Sequence, residues 1–229
     1  APSDGLPADR HNTFSAWPAM RGLGRYYQLQ VCCVGQADPL TGYFLNIKEI
    51  DTAARDHVLP YLLQQVQNES EPALGNILQE MIERLQPPLG GTVKQVRFDL
   101  TPYYSLSIRS DDMSQVIMRQ QFEFAAAHRL HVDALSDEEN RRVFGKCNNP
   151  SGHGHNYQLE VAVRVPIDGT GQVMAVEELD QMVDSVVIEK LDHKHLNKDV
   201  AQFQELNPSV ENIAKVIWKM LGEGAKGLG

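Results

Sequence analysis

The chain reads as an imperfect duplication of itself, and that limits its fold more than any other feature. FSAWP at 14–18 answers FAAAH at 124–128, and GLGRYYQL at 22–29 answers GHGHNYQL at 152–159. Thr41-Gly42 answers Thr170-Gly171, and PALGNI at 72–77 answers PSVENI at 208–213. Four blocks in one order mark a repeated structural unit. With 229 residues, two domains of ordinary size are expected, 1–112 and 113–229.

Each copy follows one plan. A first strand, about Gln115 to Ala127, precedes a second, about Asn156 to Val165, with β-branched residues at every other place. Two helices follow. Leu179, Met182, Val183, Val186 and Val187 form an apolar stripe on the first. The second is expected to open at Asn207 as cap with Pro208 in its first turn, and to bury Ile213, Ala214, Ile217 and Leu221. The first copy adds two strands, about Val93 to Leu100 and Tyr103 to Ile108. The second copy carries no such pair.

The copies differ where chemistry would sit. His128 faces Pro18, His153 faces Leu23, His155 faces Arg25 and Glu211 faces Gly75. One working copy and one structural copy are implied. His153 and His155, two apart on a strand, share a face, and His128 ends the neighbouring strand. Three neutral imidazoles suit zinc and leave a fourth position open, as catalytic sites do. Copper, nickel or iron fit the same donors.

Cys147 lies six residues before His153, joined by the turn sequence NNPSG. The turn would fold the thiol toward the metal, where the ion and Lys146 favour thiolate, a general base or nucleophile. An inert, buried cysteine is the other reading of the same residue. Asp192 beside His193 is a candidate for orienting an imidazole, or a solvated turn. His195 receives no role. Glu211, in the first turn of the last helix, either answers the helix dipole or accepts N–H bonds from a flat heterocycle. SDEE at 136–139 is a capping box.

The net charge of −9 excludes a broad nucleic-acid surface. No apolar run spans a membrane, and the start, APSDGLPADRHN, has no signal-peptide core. Three cysteines, two of them adjacent, make no disulfide framework. A cytoplasmic protein is expected.

FAAAHRLH at 124–131, LSDEEN at 135–140, FGKCNNPSGHGHNY at 144–157, LDHK at 191–194 and VEN at 210–212 together resemble the 6-pyruvoyl-tetrahydropterin synthase family. The likeness runs from about 115 to 222, and the first copy matches in framework only. It implies an α+β tunnelling fold: antiparallel sheets with two helices each, closed into barrels by oligomerisation. It implies zinc on His128, His153 and His155. It makes Cys147, Asp192 and His193 a catalytic triad whose Asp–His pair comes from a neighbouring subunit, and Glu211 the pterin anchor. The implied substrate is 7,8-dihydroneopterin triphosphate, and the products are 6-pyruvoyl-tetrahydropterin and triphosphate. Lys and Arg near the mouth would hold the phosphates.

Since the first copy lacks an Asp–His equivalent, second copies should touch one another in a homo-oligomer. The family closes each copy with a strand pair carrying Tyr-Glu-Thr; here Leu100 stands at the glutamate position in the first copy. Two alternatives are a 6-carboxy-tetrahydropterin synthase of the queuosine pathway, and a non-catalytic pterin- or metal-binding subunit. The Cys147–His153 spacing resembles the biopterin type.

Overall fold

A computed structural model describes residues 26–67 and 72–227. The repeat blocks at 14–18 and 22–25, with Pro18, Leu23 and Arg25, lie outside the described residues. In chain order the first elements are β1 (Gln28–Cys33), α1 (Ile47–Ala53), α2 (Leu59–Gln67), α3 (Leu74–Leu85), β2 (Val93–Asp99) and β3 (Tyr104–Arg109). Then come β4 (Asp112–His128), α4 (Asp137–Phe144), β5 (His153–Pro166), α5 (Val176–Val183), α6 (Glu189–Leu191), β6 (Lys194–His195), α7 (Leu196–Asp199) and α8 (Val210–Gly224).

The antiparallel sheet runs β1-β2-β3-β4-β5, with the short β6 parallel to β4. β4 pairs with β3 from Tyr104↔Gln120 to Arg109↔Asp112, and with β5 from Gln115↔Pro166 to His128↔His153. The boundary expected between 112 and 113 therefore falls at the root of a β3–β4 hairpin inside one sheet. Alternation sorts the side chains. Val116, Met118, Phe124 and Ala126 are buried on one face of β4, which packs into a single apolar cluster with Leu78 and Met81 of α3, Val183 of α5 and Ile217 of α8. The other face is polar: Arg119 donates to Ser107 Oγ at 2.8 Å, and Arg97 bonds Asp99 at 2.7 Å.

Two helical stretches carry a π turn, Ala54–Val58 between α1 and α2 and Asp184–Ile188 between α5 and α6. A π turn adds a residue to the helical repeat and shifts the apolar stripe. Leu179, Met182, Val183 and Val187 are buried, while Val186 is only partly so. Each stretch follows a turn tied by an aspartate. Asp38 Oδ1 accepts from Thr41 N–H at 2.8 Å, and Asp168 Oδ1 accepts from Thr170 N–H at 2.8 Å. Gly42 and Gly171 take positive φ there, +69° and +84°. The start of α3 docks on the second turn, where Gly75 N–H donates to the Gly171 carbonyl at 2.9 Å.

Three expectations for the last helix need correction. Pro208 stands before the N-cap rather than in the first turn. Ser209, not Asn207, is the N-cap of α8, and its hydroxyl accepts from Asn212 N–H. Asn207 is engaged elsewhere: its side-chain oxygen accepts from His131 N–H, and its carbonyl accepts from the Asn212 amide. The buried stripe is Ile213, Val216, Ile217 and Met220, while Ala214 is exposed. Its i, i+3, i+4, i+7 spacing is the usual apolar stripe of a helix.

Candidate metal and catalytic site

His128 and His153 face each other across the β4–β5 ladder, and His155 lies opposite Ala126. Direct cross-strand partners on one face bring their side chains together, and the small Ala126 leaves room for the His155 ring. The ring centroids lie 4.6 Å apart for His128–His153, 4.6 Å for His153–His155 and 5.1 Å for His128–His155. One ligand atom from each lies within 4.8 Å of the others. Small side-chain rotations bring three nitrogens to the N···N spacing of about 3.4 Å that a tetrahedral ion with bonds of about 2.0–2.1 Å requires.

The donors are prepared for an ion. His128 is 4% exposed, and its Nδ1 lies 2.7 Å from the Pro208 carbonyl, which fixes that nitrogen as the donor and leaves Nε2 as the lone-pair atom. His128 Nε2 and both ring nitrogens of His153 are buried with no hydrogen-bond partner. Unpartnered buried nitrogens are costly unless something binds them. Burial pushes the His128 and His153 imidazoles below their ordinary pKa, while the Pro208 carbonyl acts the other way on His128. Neutral imidazole is the form that ligates a metal. The residues present fit a His₃ ion.

Beneath the imidazoles, Tyr157 stacks on Phe124 at 4.9 Å. Its hydroxyl is buried without a partner, and burial pushes its pKa up. The alternation that joins His153 to His155 reaches Tyr157 in one more step, so this residue was within reach of the sequence pattern. His195, given no role from sequence, has both ring nitrogens buried and unpartnered. A Cβ on Gly152 would stand 2.7 Å from its Nε2, so the glycine lets the turn before β5 close over that ring.

Cys147 lies in a 3₁₀ turn, Gly145–Asn148, and is partly exposed. Its carbonyl accepts from Leu130 N–H at 2.8 Å, and Asn148 Nδ2 donates to the Leu130 carbonyl at 2.7 Å. These bonds fasten the cysteine turn to the segment just after His128. The expected NNPSG turn is present, with Gly152 N–H donating to the Asn149 carbonyl and Gly152 at φ +76°. The group of potential metal donors holds the three histidines without Cys147.

Asp192 and His193 form a pair, His193 Nδ1 to Asp192 Oδ2 at 2.7 Å. Both are pinned to β4: Ala125 N–H donates to Asp192 Oδ1 at 2.8 Å, and His193 N–H to the Ala125 carbonyl at 2.6 Å. The Ala125 bond is the first cause that holds the Asp192 carboxyl below its usual range, followed by His193. The pair leads into β6, which joins β4 at Ala126 and Ala127, positions that also pair with β5. A strand offers one partner to each edge, so β6 lies across β4 from the strand bearing His153 and His155. The His193 side chain is 84% exposed, and its φ of +56° is the only positive value at a non-glycine among the described residues. Such a conformation costs about 1–3 kcal/mol and persists only where surroundings impose it.

Glu211 is exposed in the first turn of α8, and its own backbone N–H, then the Ser209 side chain, hold its carboxyl below the usual range. That is the helix-terminus arrangement. The same loop carries Pro208, so the helix start and His128 are joined by one hydrogen bond. Gly75, its counterpart in the first copy, has a packing reason to be glycine. A Cβ there would lie 2.6 Å from Ile167 Cγ2 and 2.7 Å from the Gly171 carbonyl.

Residues 117–227 match the family model described as 6-pyruvoyl tetrahydropterin synthase. The 6-pyruvoyl tetrahydrobiopterin synthase of Poecilia reticulata is 53% identical over 96 residues, which are 42% of this chain and 65% of that protein. The chain thus spans just under two thirds of that relative. The Homo sapiens protein of the same name is 44% identical over 108 residues, 47% of this chain and 74% of that protein. The solved Caenorhabditis elegans 6-pyruvoyl tetrahydropterin synthase is 42% identical over 48% of this chain and 78% of its own, with a TM-score of 0.45. The matched span contains His128, Cys147, His153, His155, Asp192, His193 and Glu211. With the human relative covered to nearly three quarters at this identity, the chain belongs to the 6-pyruvoyl tetrahydropterin synthase family.

Proposed function

We propose that the protein converts 7,8-dihydroneopterin triphosphate to 6-pyruvoyl-tetrahydropterin with elimination of triphosphate. The observation that carries this reading is the convergence of His128, His153 and His155, with His128 oriented by the Pro208 carbonyl. These imidazoles would hold zinc, which when bound supplies Lewis acidity toward the substrate's side-chain oxygens. Cys147 takes and returns a proton beside them. Asp192 and His193 move protons from the other side, with Asp192 fixing the imidazole tautomer. Glu211 anchors the pterin ring.

The Asp–His pair of one copy serves the imidazoles of another, in a homo-oligomer where second copies meet and the sheet closes toward a barrel. Three features support this: the pair's exposure, its strained backbone, and its position across β4 from β5. The chain is read as two tandem copies, 1–112 without metal ligands and 113–229 with them. The support is structural: Asp38 and Asp168 build matched turns, and Ala54 and Asp184 open matched π turns at the same spacing. Among the described residues no helix is long and apolar enough to cross a membrane. A cytoplasmic location is part of the proposal.

The test is metal analysis of the purified protein with product identification from dihydroneopterin triphosphate. Zinc near one per chain with a 6-pyruvoyl product is expected. Acetaldehyde release, or no turnover, would overturn it. Cys147→Ala should keep the metal and lose turnover; unchanged turnover rejects Cys147 as the base.

A further inference from the structure

His131 closes the FAAAHRLH segment, yet it belongs neither to the imidazole set nor to the Asp192–His193 pair. Its side chain is 21% exposed and sits where three segments meet. Asn148 Nδ2 donates to its Nδ1 at 2.9 Å, and a terminal nitrogen of Arg129 reaches the same atom at 3.2 Å. Amide and guanidinium nitrogens only donate, so Nδ1 is the lone-pair atom and the ring proton stands on Nε2. There Asp133 Oδ1 lies 3.3 Å away, on a side chain open to solvent. The His131 backbone N–H donates to Asn207 Oδ1 at 3.3 Å.

Asn148 shows what this ring does. It is buried, and it follows Cys147 directly. Its Nδ2 has two hydrogens: one goes to the Leu130 carbonyl at 2.7 Å and the other to His131 Nδ1. The Leu130 bond fixes which end of the amide is nitrogen. The Asn148 carbonyl accepts from Arg129 Nε at 3.2 Å, and the Cys147 carbonyl accepts from Leu130 N–H at 2.8 Å. The cysteine is therefore held by its own carbonyl and by both the side chain and the backbone of the next residue. Of the two bonds that the Asn148 amide donates, only the one to His131 needs another side chain. On its other side, His131 is bonded to the loop whose Pro208 carbonyl orients His128.

We infer that His131 is a positioning residue that fixes the Cys147 thiol relative to the three imidazoles, acting through Asn148. The inference rests on the proposed role of Cys147 as the base. The ring supplies one acceptor where two donors converge. Without it a hydrogen of Asn148 and one of Arg129 are stranded, the first on a buried residue, and the turn relaxes to pair them. The three imidazoles stand on β4 and β5 and do not move with the turn. A shift of about 1 Å at a reacting group can cost about a hundredfold in rate. The loss then falls on kcat rather than on KM.

The test compares wild type with His131→Asn, His131→Gln and His131→Leu in the full, zinc-loaded chain. The oxygen in His131→Asn stands where Nδ1 stands, the one in His131→Gln reaches further out toward the place of Nε2, and His131→Leu has no acceptor. Turnover is measured with 7,8-dihydroneopterin triphosphate. Alkylation of Cys147 by iodoacetamide is followed on its own peptide by mass spectrometry, since Cys32 is also exposed. His131→Leu and His131→Gln should lose about 10- to 100-fold in kcat, with KM within about threefold and zinc content unchanged. Their Cys147 alkylation rates should differ from wild type by more than about threefold, and His131→Asn should bring both kcat and alkylation back inside that margin. Wild-type kcat in His131→Gln, equal losses in His131→Asn and His131→Gln, or loss of zinc in step with kcat each overturns the positioning role. Where His131→Leu does not fold, His131→Asn against His131→Gln decides, because the two amides differ by one methylene. Cys147→Ala is run beside them. If it keeps turnover, or wild type has none, the base reading fails and the clamp is judged by alkylation alone, where equal rates in wild type and His131→Gln overturn it.

Discussion

Replacing Asn140 with alanine removes the side chain that organises the loop between His128 and Cys147. Asn140 is fully buried. Its Oδ1 accepts from Val132 N–H at 2.9 Å, and its Nδ2 donates to the carbonyls of Val132, Leu135 and Ser136 at 3.0, 3.0 and 3.1 Å. Two amide hydrogens serve three carbonyls, so one is shared and the net is about three hydrogen bonds. At about 1 kcal/mol each they contribute about 3 kcal/mol, and loop groups left buried without partners add to the cost. Alanine's higher helix propensity in α4 returns at most about 0.7 kcal/mol. The expected loss is thus about 2.5 kcal/mol, read from urea midpoints at constant m-value. In a chain of this length it lowers Tm by about 5–10 °C. The metal content measured for the wild type should not change, because the three imidazoles that could hold an ion stand on β4 and β5. Alkylation of Cys147 should change in rate, because its turn is fastened to the same loop. Asn140→Asp should be worse than alanine at neutral pH, as a carboxylate would then face three carbonyl oxygens. A loss below about 1 kcal/mol for Asn140→Ala would refute the reasoning.

Gly75→Ala should destabilise by about 1–2 kcal/mol although alanine favours helices, because the Gly171 carbonyl cannot retreat as a side chain can; a gain in the melting temperature would count against that close approach. Tyr104, its pKa pushed up to about 12 by burial and by Glu177 and Asp180, keeps its proton in the folded chain where the unfolded chain releases it. Stability should therefore fall as pH rises from about 10 to about 12, and Tyr104→Phe should flatten that slope in urea midpoints measured across the window. Stripping the metal with a chelator should lower Tm in wild type and leave His153→Ala unmoved, and re-added zinc should restore only the wild type.

The histidine set was legible because strand alternation is a strict rule: His153 and His155 share a face wherever the strand goes, and a ladder to the preceding strand carries His128 to them. The cap of α8 was not legible, because Asn207 and Ser209 are both good caps and only the tertiary bond to His131 decides between them. The π turns were hidden since Leu179, Met182, Val183 and Val187 keep a helical rhythm through the extra residue. Asn140 reads as an ordinary residue of a capped helix, and its burial depends on a loop eight residues upstream. The partners of His131 come from the end of β4, a 3₁₀ turn and the loop before α8, so no local spacing announces them. The exposure of His193 follows from where β6 meets β4, a long-range fact.

β4 is shared property. From Val116 to Gln120 it is hydrogen-bonded on both sides, to β3 before it and β5 after it. A cut at residue 112 would strip one ladder from that stretch and turn a central strand into an edge, with polar backbone groups open to other chains. The half that carries the imidazoles would then be soluble only if something else took β3's place. The strands β1 to β3 are thus the scaffold on which β4 and β5 fold, and the whole sheet should melt as one cooperative unit rather than in two steps.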